Sequence, residues 1–422
     1  MEGMWADAVD FRPGRLRVDY LSGGKYRAGV VDLQKSSISI YTVHPGYFRD
    51  HGLFNRNLHD ARRRMDSAGQ TPFIGFRSYP LVARQSHGLL FHLLPDSSTW
   101  RPFGEFYLLP VLMRRFIIKL SLYAVAAFTL AAAMDYTVCS GLLKMEDYRF
   151  QDFAAMLRGG MDHDVLIMGN SRGKHHFDPR IIDTSLNVSS FCIGIGGYPI
   201  NVEIEKFDLY CSHNAKPRVI LQNIDYLTMD VMKDVRHRHQ SEMFFPLVYD
   251  RAGRKMMRNL GYGFAELNIP LYRMYGYQQV IKNGILEATG LMHYVSRPAY
   301  KGHRAEDGKW NGYELNRMAV HCTEISQESR EVLERFLSQC RKDSVEVILV
   351  NSPMYCGVKE KVTNLDEVKT YFDNTARQFG FRYLDYSVDC PIAQDSSNFV
   401  VAVHMNASAT KEFTKLFCSD LE

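Results

Sequence analysis

The longest apolar run in the chain, FIIKLSLYAVAAFTLAAAM over residues 116–134, carries a single charge, Lys119. As a helix it rises about 28 Å, close to the ~30 Å hydrocarbon core of a bilayer. The pattern therefore predicts one membrane-spanning helix over 113–136. The alternative is a buried helix in a soluble domain. Lys119 would be awkward there, whereas near the end of a membrane helix it can snorkel to the headgroups. Beyond this run the pattern changes to short apolar stretches alternating with segments of helical period. Residues 164–168, 187–195, 218–223, 345–351 and 381–386 read as buried strands, and 203–210, 326–342, 366–379 and 407–421 as helices. Residues 137–162 read as a juxtamembrane helix and linker. Residues 230–315, mixed in period and rich in Tyr, Arg and Gly, read as an insertion. Strand–helix alternation over 163–422 predicts an α/β domain: a doubly wound, mostly parallel sheet between two helical layers.

Composition divides the chain at the same place. Residues 1–112 hold 14 basic residues, 12 of them Arg, against 10 acidic ones, while the rest carries 37 of each. The larger part thus has no basic footprint, and a nucleic-acid partner is not expected. With 46% hydrophobic residues a sizeable core is readily filled. Residues 1–112 have few periodic segments and several breakers (Pro13-Gly14, Gly23-Gly24, Pro45-Gly46). Met113-Arg114-Arg115 before the apolar run has the form of an export signal, with Ala131-Ala132-Ala133 as a small-residue cleavage site. We therefore expect Met113 as the start and 1–112 as an over-extended reading frame; the rival is a small, irregular cytoplasmic domain. Arg114, Arg115 and Lys119 precede the span, and Asp135, Glu146 and Asp147 follow it. The positive-inside rule then places the C-terminal domain outside the cytoplasm. All eight Cys lie beyond residue 112 without any Cys-x-x-Cys, so common zinc and redox patterns are excluded and disulfide pairing stays open.

Candidate chemistry concentrates in three places. DVLIMGNSRGKHHFDP, residues 164–179, sets Gly169-Asn170-Ser171-Arg172 directly after a strand and before a helix, where ligands of open α/β sheets bind. An ordinary strand-to-helix turn uses the same residue types. Residues 191–197 (FCIGIGG) form a Gly-rich turn able to aim backbone N–H groups at an oxyanion. Pro199 stands where a dinucleotide fingerprint needs its third Gly. Finally, His404 in Val403-His404-Met405-Asn406 precedes the closing helix and can fold back as a general base.

In this order, the three segments resemble the SGNH/GDSL hydrolase superfamily over about residues 160–422, and more narrowly its membrane-anchored branch associated with cell-envelope polysaccharides of bacteria. The resemblance implies a flavodoxin-like three-layer sandwich, Ser171 as nucleophile and His404 as base. It implies an oxyanion hole from the N–H groups of Ser171 and Gly197, with Gly194 and Asn170 around them, and Asn223 of Gln222-Asn223-Ile224-Asp225 in the place of the family's Asn. It implies no cofactor and no metal. The expected activity is an esterase or O-acyltransferase acting on an envelope glycan or acylated carbohydrate. The expected setting is the outer side of the bacterial inner membrane, with a membrane-bound acyltransferase as a possible partner.

The family's Asp three residues before the His is Val401 here. Either Asp395 or a backbone carbonyl orients His404, or the pair works weakly, or the domain binds glycan or scaffolds envelope assembly without chemistry. Without a substitute, Val401→Asp should raise activity. His175-His176 read as packing or capping residues, His237 and His239 lack a third metal ligand, and Arg62-Arg63-Arg64 reads as a solvated charge run.

Overall fold

A computed structural model describes four strands within residues 9–42 and residues 108–422 apart from 237, 297 and 311. The chain divides into two compact units, residues 1–100 and 101–422. In the first, β1 (Val9–Arg12), β2 (Arg15–Ser22), β3 (Lys25–Asp32) and β4 (Ser37–Thr42) form an antiparallel meander. Arg12 pairs with Arg15 and Ser22 with Lys25. The described residues of this unit are these four strands alone. Arg62-Arg63-Arg64 lies outside the described residues.

The second unit opens with α1 (Leu108–Leu142), whose 35 residues include the apolar run. Met113–Leu142 is apolar and long enough to cross a membrane, and its most apolar window is wholly unburied. The helix continues past the run, so the predicted juxtamembrane helix is divided between the end of α1 and α2 (Tyr148–Arg158), which Asp147 caps by accepting from Arg149 N at 2.9 Å.

From there strands and helices alternate. They run β5 (Val165–Met168), α3 (Ser171–His176), α4 (Pro179–Leu186), β6 (Ser190–Cys192), α5 (Ile200–His213) and β7 (Val219–Asn223). An inserted region follows, holding α6 (Arg251–Asn259), α7 (Phe264–Asn268) and α8 (Gln278–Ala288). The fold resumes with α9 (Gln327–Lys342), β8 (Glu346–Asn351), α10 (Leu365–Phe379) and β9 (Arg382–Asp385). A hairpin of β10 (Phe399–Val401) and β11 (His404–Met405) leads into α11 (Ala407–Ser419).

The five strands β5 to β9 are all parallel and lie in the order β6-β5-β7-β8-β9. Both faces are buried, which is why these strands read as continuous apolar runs rather than alternating ones. Side-chain alternation sends Leu166, Ile220, Val347 and Leu349 into one core with Leu209, Leu333, Phe336 and Phe372 from α5, α9 and α10. It sends Val165, Ile167, Leu221, Ile348 and Val350 into the other, with Ile182 of α4 and Phe413 and Phe417 of α11. The chain order reverses at β5, so the carboxyl ends of β5 and its neighbours border a crevice of the kind that binds ligands.

The insertion is attached at several points, the end of α1 and the sheet among them. Near its middle, α8 lies against the end of α1 so closely that a Cβ on Gly141 would stand 1.8 Å from the carbonyl oxygen of Gly284. At its far end the chain returns to the sheet. Cys192 N donates to Lys301 O at 2.8 Å, Arg304 N to Lys174 O at 3.3 Å, and Ala407 N to Glu306 O at 2.9 Å. Residues 301–306 are thereby clamped among β6, α3 and the start of α11.

Candidate active site

Ser171 is the first residue of α3, reached from β5 by a two-residue turn. Gly169 takes a φ of +132°, and a Cβ there would meet the Asn223 side chain at 2.8 Å, so only glycine serves. Asn170 caps the helix through its carboxamide oxygen, which accepts from Arg172 N at 2.9 Å, while its amide donates to Asp225 at 3.0 Å. Its role is to shape the turn. As a first-turn residue, Ser171 keeps its own N–H free of an intrahelical acceptor.

Across the crevice, His404 opens β11 and pairs with Val401 of β10. Its Nε2 lies 2.8 Å from Ser171 Oγ, and its Nδ1 lies 3.1 Å from Glu306 Oε2. With Nδ1–H donating to the carboxylate, Nε2 is left to accept the serine proton. Burial alone would raise the Glu306 acid. The hydrogen bond from His404 and the surrounding imidazoles and Arg304 guanidinium outweigh it and hold the group down at about 2. His175 Nε2 lies 3.5 Å from the other oxygen of Glu306, and Arg304 NH1 lies 3.6 Å from that oxygen. His175 donates through Nδ1 to Arg304 O at 2.7 Å and is kept neutral by burial, its acidity pushed to about 3.

These positions correct two sequence expectations. Asp395 does not orient His404: its carboxylate accepts from Ser397 N at 2.9 Å and caps the short turn before β10. Asn223 is fully buried, and its carboxamide is engaged by Ser352 and Asp225. Its carboxamide oxygen accepts from Ser352 Oγ at 2.7 Å, and Ser352 Oγ accepts from His176 Nδ1 at 2.8 Å. His176 Nε2 in turn accepts from Met405 N at 3.1 Å. This relay ties the hairpin that carries His404 to the end of β7. His176 is held neutral by burial and by the Arg172 charge nearby.

The Gly-rich turn does border Ser171, but through Gly196. A Cβ on Gly196 would lie 3.5 Å from Ser171 Cβ, whereas one on Gly197 would meet nothing within 4 Å. Gly197 has a φ of +79° and supplies the bend. Gly194 packs on the backbone of α3, where a Cβ would stand 2.7 Å from Lys174 N. Its carbonyl accepts from Lys174 Nζ at 3.2 Å, and that ammonium also pairs with buried Asp152 at 2.9 Å. Lys206 shares the same carboxylate and is pushed down to about 8 by burial. Beneath the serine, the fully buried Arg172 pairs with Asp225 at 2.9 Å and donates to Asn351 at 3.2 Å and to the Ser352 carbonyl.

Ser171, His404 and the turn at 194–197 thus converge, while Asp395 and Asn223 stand outside the constellation. Glu306, His175 and Arg304 complete it. Glu306 lies in a polar stretch of the insertion, HRAEDGKW, with no local signal of its role. His239 Nε2 lies 3.1 Å from Gln240 Nε2, and His237 lies outside the described residues. All eight cysteines are free of disulfide bonds. No protein-family model and no curated protein matches the chain.

Proposed function

We propose that residues 163–422 form a doubly wound SGNH-type domain that transfers acyl groups through Ser171. One observation carries the reading: Ser171, His404 and Glu306 are joined in series at 2.8 and 3.1 Å. In the reaction, Ser171 Oγ attacks an ester carbonyl while His404 Nε2 takes its proton. The tetrahedral intermediate collapses with the proton passing from His404 to the leaving alcohol, giving an acyl-serine. Water or a sugar hydroxyl then attacks the acyl-serine and loses its proton to His404; the acyl–Oγ bond breaks, His404 returns the proton to Ser171 Oγ, and the acid or new ester leaves. Glu306 holds the imidazole tautomer and stabilises the imidazolium that forms in each half. The N–H groups of Ser171 and of the turn at Gly196-Gly197 are the donors assigned to the oxyanion in this reading.

The setting belongs to the same proposal. α1 anchors the domain in a cytoplasmic membrane, with Arg114 and Arg115 on the inner side and the site outside, where an envelope glycan or acylated carbohydrate is the substrate class and a membrane-bound acyltransferase a fitting acyl donor. A fluorophosphonate probe tests the chemistry. Labelling should map to Ser171, disappear in Ser171→Ala and fall sharply in His404→Ala. Failure to label Ser171 in folded protein that still binds glycan would replace this reading with a non-catalytic binding domain. A C-terminal alkaline phosphatase fusion should be active; an expressed but inactive fusion would reverse the topology.

A further inference from the structure

We propose that a collar of aromatic and aliphatic side chains around the end of the membrane span seats the domain directly on the bilayer. The inference rests on the reading of α1 as membrane-spanning. The apolar run ends at Met134, and the next residue, Asp135, is the point where the insertion grips the helix. Asp135 is buried. It accepts from Arg273 through both oxygens (2.9 and 2.6 Å), from Leu271 N at 2.6 Å and from Tyr249 Oη at 2.6 Å. Leu271 adopts a φ of +62°, a conformation that leucine avoids, and its N–H bond to Asp135 holds the segment in that shape. Residues 249 and 271–273 are therefore fixed at the level where the helix leaves the hydrocarbon. Ala131 and Ala132 are half-buried, so the domain reaches about one turn further down.

Around this grip the surface is apolar and aromatic. Tyr136 and Tyr249 stack edge to face with centroids 5.3 Å apart, and both are exposed. Ile269, Tyr272 and Tyr275 are exposed on the same segment, Tyr275 by 91%. Single exposed hydrophobic residues need no explanation, but a group this dense around one helix exit does. Tyr combines an apolar ring with a polar tip and concentrates at membrane–water interfaces, where hydrocarbon meets headgroups. The collar is continuous with the lipid-facing surface of α1, which selects a lipid surface as its occupant over a soluble partner. The buried Asp135–Arg273 pair and the Gly141–Gly284 contact make helix and domain one body, so the collar sets both the tilt of α1 and the standing of the Ser171 site above the membrane.

Tryptophan quenching tests the collar in the full chain, reconstituted in phosphatidylethanolamine–phosphatidylglycerol vesicles with brominated acyl chains. Tyr275→Trp is the main probe and Tyr272→Trp the second, each read as the difference from the parent protein. Tyr123→Trp within the span and Lys415→Trp, exposed on α11 in the helical layer opposite α5, α9 and α10, are the references. Brominated lipid should remove most of the emission added by Tyr275→Trp, Tyr272→Trp and Tyr123→Trp, and iodide most of that added by Lys415→Trp. If Tyr123→Trp is quenched by lipid but both collar probes respond only to iodide, the collar is overturned and the span stands. Collar probes shielded from both quenchers would mean that another protein surface covers them, which also overturns the proposal. If Tyr123→Trp itself escapes lipid quenching, the membrane-spanning reading fails, and the collar with it.

Discussion

Glu306 and His404 are 98 positions apart and share a hydrogen bond of 3.1 Å between Oε2 and Nδ1. The contact is built from both sides: the Glu306 carbonyl also accepts from Ala407 N at 2.9 Å, just beyond the histidine. Two backbone segments are thus in register before the side chains meet, and the carboxylate has little freedom to leave. Because Glu306 is held down at about 2, it stays ionised wherever His404 can accept a proton. Ser171, His404 and Glu306 thus form a hydrogen-bonded series whose carboxylate comes from an insertion rather than from beside the histidine.

Replacing that acid should be costly. In serine proteases, an Asp-to-Asn change at the equivalent role lowers turnover roughly 10⁴-fold by favouring the wrong tautomer. Glu306→Gln should lower turnover of a small aryl ester by about 10²- to 10⁴-fold, while Asp395→Asn, which alters only a turn cap, should leave it within about twofold. Initial-rate kinetics on the two variants decide this. An unaffected Glu306→Gln with a crippled Asp395→Asn would return the role to Asp395.

Val401→Asp, which would repair a missing acid if the site lacked one, should bring no gain. Val401 faces His404 across the hairpin, but Nδ1 is already engaged. A new carboxylate in this half-buried position would add desolvation cost and repulsion from Glu306. The expected result is unchanged or reduced turnover; a tenfold rise would show that Glu306 orients His404 poorly.

Two glycines of one turn should respond differently. Gly194→Ala would drive a methyl to 2.7 Å from the backbone nitrogen of Lys174. Backbone cannot step aside as a side chain can, so a loss of about 1–3 kcal/mol in denaturant unfolding is expected. Gly196→Ala places its methyl at an ordinary 3.5 Å from Ser171 Cβ. Stability should hold within about 0.5 kcal/mol, while kcat/KM falls because the methyl stands beside the nucleophile. Equal effects of the two changes on stability would contradict this division.

Acid should destabilise the domain well before ordinary carboxylates titrate. His175 is pushed to about 3, His303 to about 4, and His176 well below its usual range, in each case chiefly by burial. Below pH ~6.5 the unfolded chain takes up protons that the folded chain refuses, so stability falls with pH, by up to about 1.4 kcal/mol per pH unit for each histidine. The loss runs until the folded groups titrate near pH 4 to 3. Glu306 adds to it lower down. Its folded value lies below the unfolded one, so its contribution is present above pH ~4.5 and disappears as pH falls through about 2. Thermal midpoints should be level from pH 8 to 7 and drop steeply from pH 6 to 4; a flat profile to pH 5 would mean that the histidines are not buried in their neutral form.

Local rules were enough to read much of this protein from residues alone. The apolar run at 116–134 lies inside the longer helix α1, and the strands around 164–168, 218–223, 345–351 and 381–386 stand within a residue or two of their predicted bounds. Ser326 caps α9, and Ser171 lies at the strand-to-helix turn where its neighbours Gly169 and Asn170 put it. Such features depend on hydrophobic period and turn chemistry over a few neighbouring positions, which any short window contains. The partners of His404 do not. Val401 and Asp395 are close in sequence, yet one lacks an acid and the other spends its carboxylate on a neighbouring amide. Asn223, well placed by order along the chain, is drawn inward by Ser352. Glu306 reaches the site only because residues 301–306 are clamped among β6, α3 and α11, a condition met by packing between segments about 100 to 130 positions apart. Secondary structure was therefore determined by the sequence near each residue, whereas the carboxylate that reaches His404 was decided by tertiary contacts, since a carboxylate can hold an imidazole only where the fold has brought their backbones together.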